Sequence, residues 1–422
     1  MKDSIIQRRQ LLVLIIIIMI GVLSQFATDN YTPSLPSIAA SLHTNNALIK
    51  LSIGIYFLSM GISQIFYGIL GDIYGRKPLI LFGLIIFLLS SFVVSISSTA
   101  ECFIFARLLQ GIGMGAPVAL YRAILRDISF GKQFAKFCSY LMMFISVAPI
   151  IAPITGGYIQ AFWGWRANFF LLVILASIVS FFVKCWLPET LITNKIRDFS
   201  AFNVIGIYRK LLSNKIFIIC ALASSLALSA RIIYIIISAF LFQNILHVTP
   251  VVYGWLIFLA ALMPIFSGAL NAQLVEKMGV NKMLIIGGII MLCGSLILLF
   301  YGLTFKLSVS VILLPVMLVL FGASIVFVNF TALAFSHISK FAGTAGSFYS
   351  GIQIIILSLA TILVAYIPNN NQMPMTILIL FCSILIVLSI FMIMKMTARH
   401  SVLDENFDKK ARKNLYLLDG KC

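Results

Sequence analysis

The sequence predicts an all-α integral membrane protein, with twelve transmembrane helices in two pseudo-symmetric six-helix bundles. Its composition, its long apolar stretches and the placement of its positive charges support this fold class. Hydrophobic residues make up 61% of the 422 residues and charged residues 10%, and the mean hydropathy is +1.10. Soluble domains average about 25% charged residues. An ordinary water-soluble domain is therefore excluded.

Twelve apolar stretches run along the chain, and most exceed the 18 residues that indicate a spanning helix. The first could be mistaken for a cleaved signal peptide, but no A-x-A-like site follows it, so we interpret it as an uncleaved span. The stretches are approximately residues 11–32, 48–69, 79–97, 102–124, 134–158, 167–187, 216–242, 250–273, 284–303, 309–335, 345–366 and 374–396.

The net charge of +18 is explained by topology rather than by a nucleic-acid partner. With the N-terminus in the cytoplasm, 24 of the 30 Lys and Arg residues fall on the inner side, as the positive-inside rule requires. Both termini are then cytoplasmic. The exceptions are Lys50, Arg166 and Lys306 on the outer side, and Arg107, Arg122 and Arg231 inside predicted helices.

The longest loop before the tail divides the helices into two sets of six. We predict four units: an N-terminal bundle at 1–190, a cytoplasmic linker at 191–214, a C-terminal bundle at 215–396 and a cytoplasmic tail at 397–422.

A weak internal repeat supports this division. Residues 71–83 read GDIYGRKPLILFG and residues 275–287 read VEKMGVNKMLIIG, each following the second helix of its half. Weak repeats between helical halves are typical of secondary transporters. The aligned pairs are Asp72 with Glu276, Gly75 with Gly279, and Gly83 with Gly287.

The segment GILGDIYGRKP concentrates glycines and charges in a very short loop. The glycines permit tight turns, Asp72 suits the positive end of a neighbouring helix, and Arg76 can bridge to the carboxylate of Asp127. We predict a gating cluster that latches the inner face in one conformation. The alternative is a positively charged loop with turn glycines. The predicted members are Gly68, Gly71, Asp72, Gly75, Arg76, Lys77 and Asp127.

This segment resembles motif A of the major facilitator superfamily, and further motifs follow in order. ARLLQGIGMG at 106–115 is similar to motif B, and APIIAPITGGY at 148–158 to motif C, although Ala152 stands where the family often has Gly. The A-P-x-x-A-P-x-x-G-G run, TDNYTPSLPSI at 28–38 and YRAILRD at 121–127 resemble the bicyclomycin/chloramphenicol-resistance (Bcr/CflA) branch. In motif C we expect Pro153 to kink helix 5, and Gly156 and Gly157 to pack it against the other half. The predicted motif C residues are Pro149, Pro153, Gly156 and Gly157.

The resemblance implies a proton-coupled secondary transporter of the multidrug efflux type, which exports small molecules by alternating access. It implies a multi-pass protein of the bacterial inner membrane, and we expect a monomer whose partners are substrate, protons and lipid. No Walker A pattern occurs, so energy must come from an ion gradient or transport is passive. A dedicated exporter of an endogenous metabolite or siderophore is the first alternative.

Proton coupling requires a carboxylate inside the membrane, and most of the 12 acidic residues fall on the inner side. Asp29, in the outer half of helix 1, is the candidate, and we predict that it exchanges between Arg107 or Arg231, a proton and substrate. The alternative is a permanently ionised cap after helix 1. Glu101 is interpreted as a first-turn residue favoured by the helix dipole, with a part in coupling left open.

The resemblance also implies that helices 1, 4, 7 and 10 line a central cavity. A second cavity arginine, Arg231, departs from the branch and would favour neutral or anionic substrates. An integral-membrane enzyme is the alternative of another class, but the four histidines are isolated and no CxxC or paired carboxylates occur. We therefore predict no catalytic residues, metal site or cofactor. The predicted substrate-cavity residues are Tyr31, Gln110, Met114, Arg231, Tyr234 and Asn329.

Overall fold

The computed structural model describes residues 2–129, 131–191, 201–336, 342–368 and 371–419, and this part of the chain contains helices and no strands. Among these described residues, twelve helices are long and apolar enough to cross a membrane. The α-helices are α1 Lys2–Asp29, α2 Leu35–Ser41, α3 Asn46–Tyr74, α4 Arg76–Ile96, α5 Ala100–Ile128, α6 Gly131–Trp163, α7 Trp165–Trp186, α8 Ala201–Ser213, α9 Lys215–Phe240, α10 Pro250–Met278, α11 Val280–Thr304, α12 Val309–Ser336, α13 Ala342–Ala365 and α14 Met373–Asp419.

Side-chain caps fix the starts of several spanning helices. A cap oxygen accepts a hydrogen bond from one of the first backbone N–H groups, which have no partner inside the helix. The capping residues are Asn45 before α3, Thr99 before α5, Asn214 before α9 and Thr249 before α10.

The connections between helices are shorter than the apolar stretches suggest. Gly75 alone separates α3 from α4, at a φ of 98°, and Gly279 alone separates α10 from α11, at a φ of 81°. Positive φ at these values favours glycine strongly. The two glycines were paired by the internal repeat, and the same backbone turn at both positions confirms that repeat.

The helices form two six-helix bundles, α1 with α3–α7 and α9–α14. Their third and fourth spanning helices pack in the same way. A Cβ added to Gly113 would lie 2.7 Å from the carbonyl oxygen of Gly83, and one added to Gly322 would lie 2.6 Å from that of Gly287. These equivalent close approaches need glycine in each bundle, so the predicted fold class, with its pseudo-symmetry, is confirmed.

Two helix pairs join the bundles, α3 with α13 and α6 with α10. These pairs are equivalent under the repeat. In the second pair, a Cβ on Gly157 would lie 2.6 Å from the Pro250 carbonyl oxygen, and one on Gly254 2.6 Å from that of Pro153. Small residues thus let the backbones of the two bundles meet directly.

The linker contains a short helix that the sequence did not predict. In α8, the Tyr208 ring stacks on Phe348 of α13 with 4.3 Å between ring centroids. Burial raises the pKa of the Tyr208 phenol to about 12, so the group stays neutral at physiological pH. Residues 192–200 of the predicted linker lie outside the described residues.

The spanning helices alternate in direction, which defines two ends of the molecule. We call the end that carries the start of α1 and the turns at Gly75 and Gly279 the terminal face. The opposite end, with the turns at Ser97 and Gly164, is the distal face.

Candidate functional site

An ion pair joins the two bundles near the distal face. Arg231 Nη2 of α9 lies 2.7 Å from Asp29 Oδ2, where α1 ends. The Asp29 side chain is 3% exposed and the Arg231 side chain 25%. A carboxylate at a helix C-terminus opposes the helix dipole, and a buried one also loses its hydration. Arg231 therefore supplies the charge that Asp29 needs, and it comes from the other bundle.

The backbone that carries Asp29 is held by a buried amide network. Asn30 Nδ2 donates to Asn168 Oδ1 of α7 at 3.0 Å, and Asn168 Nδ2 donates to Ser34 Oγ at 2.8 Å. The amide of Asn168 also donates to the Gly156 carbonyl oxygen at 3.2 Å. The end of α1 is thus fixed to α6 and α7 of its own bundle.

The two adjacent glycines of α6 serve different contacts. A Cβ on Gly156 would lie 1.6 Å from the carbonyl oxygen of Asn30, whereas one on Gly157 would meet Pro250 of the other bundle. The prediction that Gly156 packs against the other bundle is therefore wrong, because a Cβ at this position would point at the backbone that follows α1. The helix α6 continues through Pro149 and Pro153.

Arg107 lies fully buried in α5, in a cage of aromatic and amide groups. Its Nη2 donates to the Tyr31 hydroxyl at 2.8 Å, and its Nη1 donates to Gln110 Oε1. The guanidinium lies 4.2 Å from the Tyr56 ring centroid and 4.6 Å from that of Tyr31. Gln110 Nε2 in turn donates to Ser91 Oγ at 2.7 Å.

The structure thus selects between the two predicted partners of Asp29. Arg231 forms the ion pair, and within the described part of the chain Arg107 has no carboxylate within 4.0 Å. Tyr31 lies close enough to both Asp29 and Arg107 to interact with each electrostatically.

Lys50 forms a second contact between bundles at the distal face. Its Nζ donates to the carbonyl oxygens of Val364, at 3.3 Å, and Ile367, at 2.9 Å, near the C-terminal end of α13. The residue is 2% exposed, and its Nζ lies 5.8 Å from the Phe240 ring centroid. A cation at a helix C-terminus is favourable. The sequence placed Lys50 on the outer side but gave no sign of its partner, so this contact was missed.

At the terminal face, the charges expected to form the gating cluster come together. Arg76 Nη2 forms an ion pair with Asp72 Oδ1, and Arg76 Nε lies 3.4 Å from Asp127 Oδ2. A Cβ on Gly71 would meet Leu120, so this glycine allows α3 and α5 to approach. All of these residues belong to the first bundle.

Glu189 completes this cluster, and sequence reasoning did not single it out. Its Oε1 accepts from the backbone N of Arg76 at 3.0 Å, and its Oε2 accepts from that of Lys77 at 3.1 Å. The carboxylate thus caps the N-terminus of α4, where negative charge is favoured. A Cβ on Gly75 would lie 2.6 Å from Glu189 Oε2. The signals for it were an acid directly after a spanning segment and its place in LPETL at 187–191.

Contact between this cluster and the other bundle is made by small groups. A Cβ on Gly68 would lie 2.8 Å from Ser347 Oγ of α13. Lys77 Nζ instead donates to the Lys184 carbonyl oxygen, at 2.9 Å, within the first bundle. The role of the cluster as a gate stays a prediction.

A cavity of about 250 Å³ lies toward the terminal face, between α3, α5 and α13. None of the predicted substrate-cavity residues lines it. Asn329 instead donates to Asn271 Oδ1 at 2.6 Å, and Arg231 is held in its ion pair. The remaining predicted residues are buried: Tyr31, Gln110, Met114 and Tyr234. The cavity is lined by Gln64, Val118, Ala119, Arg122, Ala123, Arg126, Phe134, Phe335, Gly346, Ser347 and Ser350.

Two repeated six-helix bundles, joined by equivalent helix pairs and by an ion pair near one face, define a multi-pass membrane transporter. Residues 17–361 match the model of the Major Facilitator Superfamily, and the chain belongs to this family. The resemblance to the Bcr/CflA branch is confirmed by the relatives that follow.

The chain is 29% identical to multidrug resistance protein D of Escherichia coli strain K12 over 384 residues, which cover 90% of the chain and 95% of the relative. It is 27% identical to a bicyclomycin resistance protein homolog of Haemophilus influenzae, covering 89% and 95%. Both relatives and the family identify a transporter rather than an enzyme.

Among solved structures, the chain is similar to a partially occluded inward-open conformation of the xylose transporter XylE from E. coli. The TM-score is 0.69 at 15% identity, with 92% of this chain and 98% of the other covered. At this identity the similarity establishes the fold.

Proposed function

We propose that the protein is a proton-coupled exporter of small molecules, of the multidrug efflux type, which works by alternating access in a bacterial inner membrane. The names of its relatives support drug efflux as the activity. The excess of Lys and Arg at the terminal face supports a cytoplasmic position for that face and for both termini. The protein acts as a monomer, and the bundles at 1–190 and 215–396 move as units.

The observation that carries the coupling proposal is the Asp29–Arg231 ion pair between bundles. While Asp29 is ionised, the pair holds the distal face closed. A proton on Asp29, or a substrate group that binds Arg231, removes the attraction and allows the bundles to separate. Breaking a buried pair is worth about 3–5 kcal/mol. At about 1.4 kcal/mol per factor of ten, this changes the conformational equilibrium by roughly 10²- to 4 × 10³-fold.

This ion-pair latch meets one requirement of an antiporter. The empty carrier with ionised Asp29 stays closed at the distal face, so it rarely opens there without a proton or a substrate. The protonated carrier and the substrate-bound carrier both have a broken pair and can change state. Protons therefore enter on one half of the cycle, and substrate leaves on the other.

At the terminal face, the cluster around Arg76 acts as the opposing gate. Its charges brace the turn between α3 and α4 against α5 and Glu189. The braced turn presents Gly68 to Ser347 of the other bundle. Opening of this face separates Gly68 from Ser347 while the charged contacts inside the first bundle persist.

The proposal is tested by substrate-driven proton release from vesicles that contain the purified protein. The panel should contain drugs, including bicyclomycin, and native metabolites, which separates multidrug efflux from a dedicated metabolite exporter. Asp29→Asn is expected to abolish coupled proton release. Glu101→Gln is the comparison variant, because Glu101 is an exposed acid near the same face, and normal proton release by this variant would assign it no part in coupling. Normal proton release by Asp29→Asn would contradict the coupling role.

A further inference from the structure

Two arginines of α5, Arg122 and Arg126, line the cavity near the terminal face, and both are exposed. Within the described lining there is no carboxylate. Arg126 lies close enough to Asp127 to interact with it electrostatically, although Asp127 is also held by Arg76. Among the described residues Arg122 has no carboxylate within 4.0 Å, so its positive charge is not compensated.

Arg122 is held in position by a neutral partner. Its Nη1 donates to Ser350 Oγ of α13 at 3.0 Å, so a residue of the first bundle contacts a residue of the second across the cavity. The Ser350 hydroxyl accepts from one of the five N–H donors of the Arg122 guanidinium and does not neutralise its positive charge. The remaining donors of the guanidinium are available to a bound anion, in the fork geometry that suits carboxylate, sulfonate or phosphate.

Two further features of the lining favour an amphipathic ligand. Gln64 is 1% exposed, and its Oε1 has no hydrogen-bond partner among the described residues. Buried polar groups are normally paired, so this amide is ready to bind a polar group of a ligand. Val118, Phe134 and Phe335 supply apolar walls.

The two arginines near opposite faces therefore differ in what they offer a substrate. Arg231 is neutralised by Asp29 in this conformation. Arg122 is not neutralised, and it lies at the end of the molecule from which an exporter takes up its cargo.

We propose that this cavity is a loading site for an amphiphile that carries one anionic group. Arg122 and Arg126 bind the anion, and the apolar body packs against Phe134 and Phe335. The source is a free organic anion or the anionic headgroup of a lipid. That the ligand is cargo rests on the proposed export function, whereas its binding does not.

The test uses two fluorescent probes that differ by one anionic group. 1-Anilinonaphthalene-8-sulfonate carries a sulfonate, and N-phenyl-1-naphthylamine has the same rings without it. Binding is measured with purified protein in phosphatidylcholine nanodiscs. Arg122→Gln and Arg126→Gln should each weaken binding of the sulfonate about tenfold, as expected for loss of one charge-assisted hydrogen bond, and leave the neutral probe unchanged. Arg166→Gln, which changes an arginine near the distal face, should alter neither affinity.

Sulfonate binding by Arg122→Gln and Arg126→Gln that equals wild type would overturn the proposal, as would an equal loss for both probes. A second arm adds phosphatidylglycerol to the nanodiscs. Competition with the sulfonate in wild type that disappears in Arg122→Gln supports the site with a lipid headgroup as the source, and no competition supports a free anion. No proton gradient enters this assay, so its result is independent of whether Asp29 couples transport to protons.

Discussion

Replacement of Gly156 by alanine tests how the carboxylate of Asp29 is positioned. The new Cβ would lie 1.6 Å from the Asn30 carbonyl oxygen. Relief requires a movement of about 1.8 Å, the difference between that distance and the roughly 3.4 Å at which ordinary contact begins. Asp29 is the preceding residue, and its ion pair with Arg231 is 2.7 Å long. A shift of this size is enough to separate the two charges beyond ion-pair distance.

We expect Gly156→Ala to lose about 1–3 kcal/mol of stability, as overpacking of a tight site does, together with coupled proton release. Gly157→Ala is the matched neighbour, since its Cβ would lie 2.6 Å from Pro250 of the other bundle and leave the Asn30 network intact. Gly157→Ala should favour separation of the bundles but leave the position of the Asp29 carboxylate unchanged. Thermal unfolding in detergent and proton release from vesicles measure both effects. Wild-type values for Gly156→Ala in both assays would refute the reasoning.

Two further substitutions test the other contacts described above. Glu189→Gln should lower the free energy of unfolding by about 0.5–1 kcal/mol, measured by thermal unfolding, because the charged cap on α4 is lost. The control is Glu276→Gln, which changes an exposed acid of the internal repeat and should have no effect. An equal loss of stability in both variants would argue against capping by Glu189. Lys50→Met removes charged hydrogen bonds to α13, so it should increase the population with an open distal face roughly tenfold. Distances between spin labels measure this population, and Lys306→Met serves as the control. An unchanged distance distribution in Lys50→Met would show that this contact does not hold the face closed.

Much of the fold could be predicted because membrane helices are marked by local composition. Long apolar runs identified all twelve spans, and the pairing of Gly75 with Gly279 identified the repeat. Helix ends were less predictable, since α3 and α4 continue through the charged residues that the sequence placed in a loop. The helix α8 was missed because its apolar side is short and is completed by contact with other helices, as where Tyr208 stacks on Phe348 of α13.

The sequence predicted which residues belong to the candidate site, but not which side chains form contacts with each other. Arg107 and Arg231 lie at similar depth along their helices, so the sequence alone could not choose between them. The choice depends on packing between distant segments, which surrounds Arg107 with Tyr31 and Tyr56 and leaves Arg231 to meet Asp29. The capping by Glu189 was hidden for the same reason.

The most direct test of the latch is a distance measurement across the distal face as a function of pH. Spin labels on cysteines at Ser98 and Lys306, exposed positions in different bundles, report the separation after the seven native cysteines are replaced by alanine. For the empty protein, the latch predicts a short distance at high pH, a longer population at low pH, and that longer population at every pH in Asp29→Asn. A distance distribution in Asp29→Asn that matches wild type at each pH would contradict it.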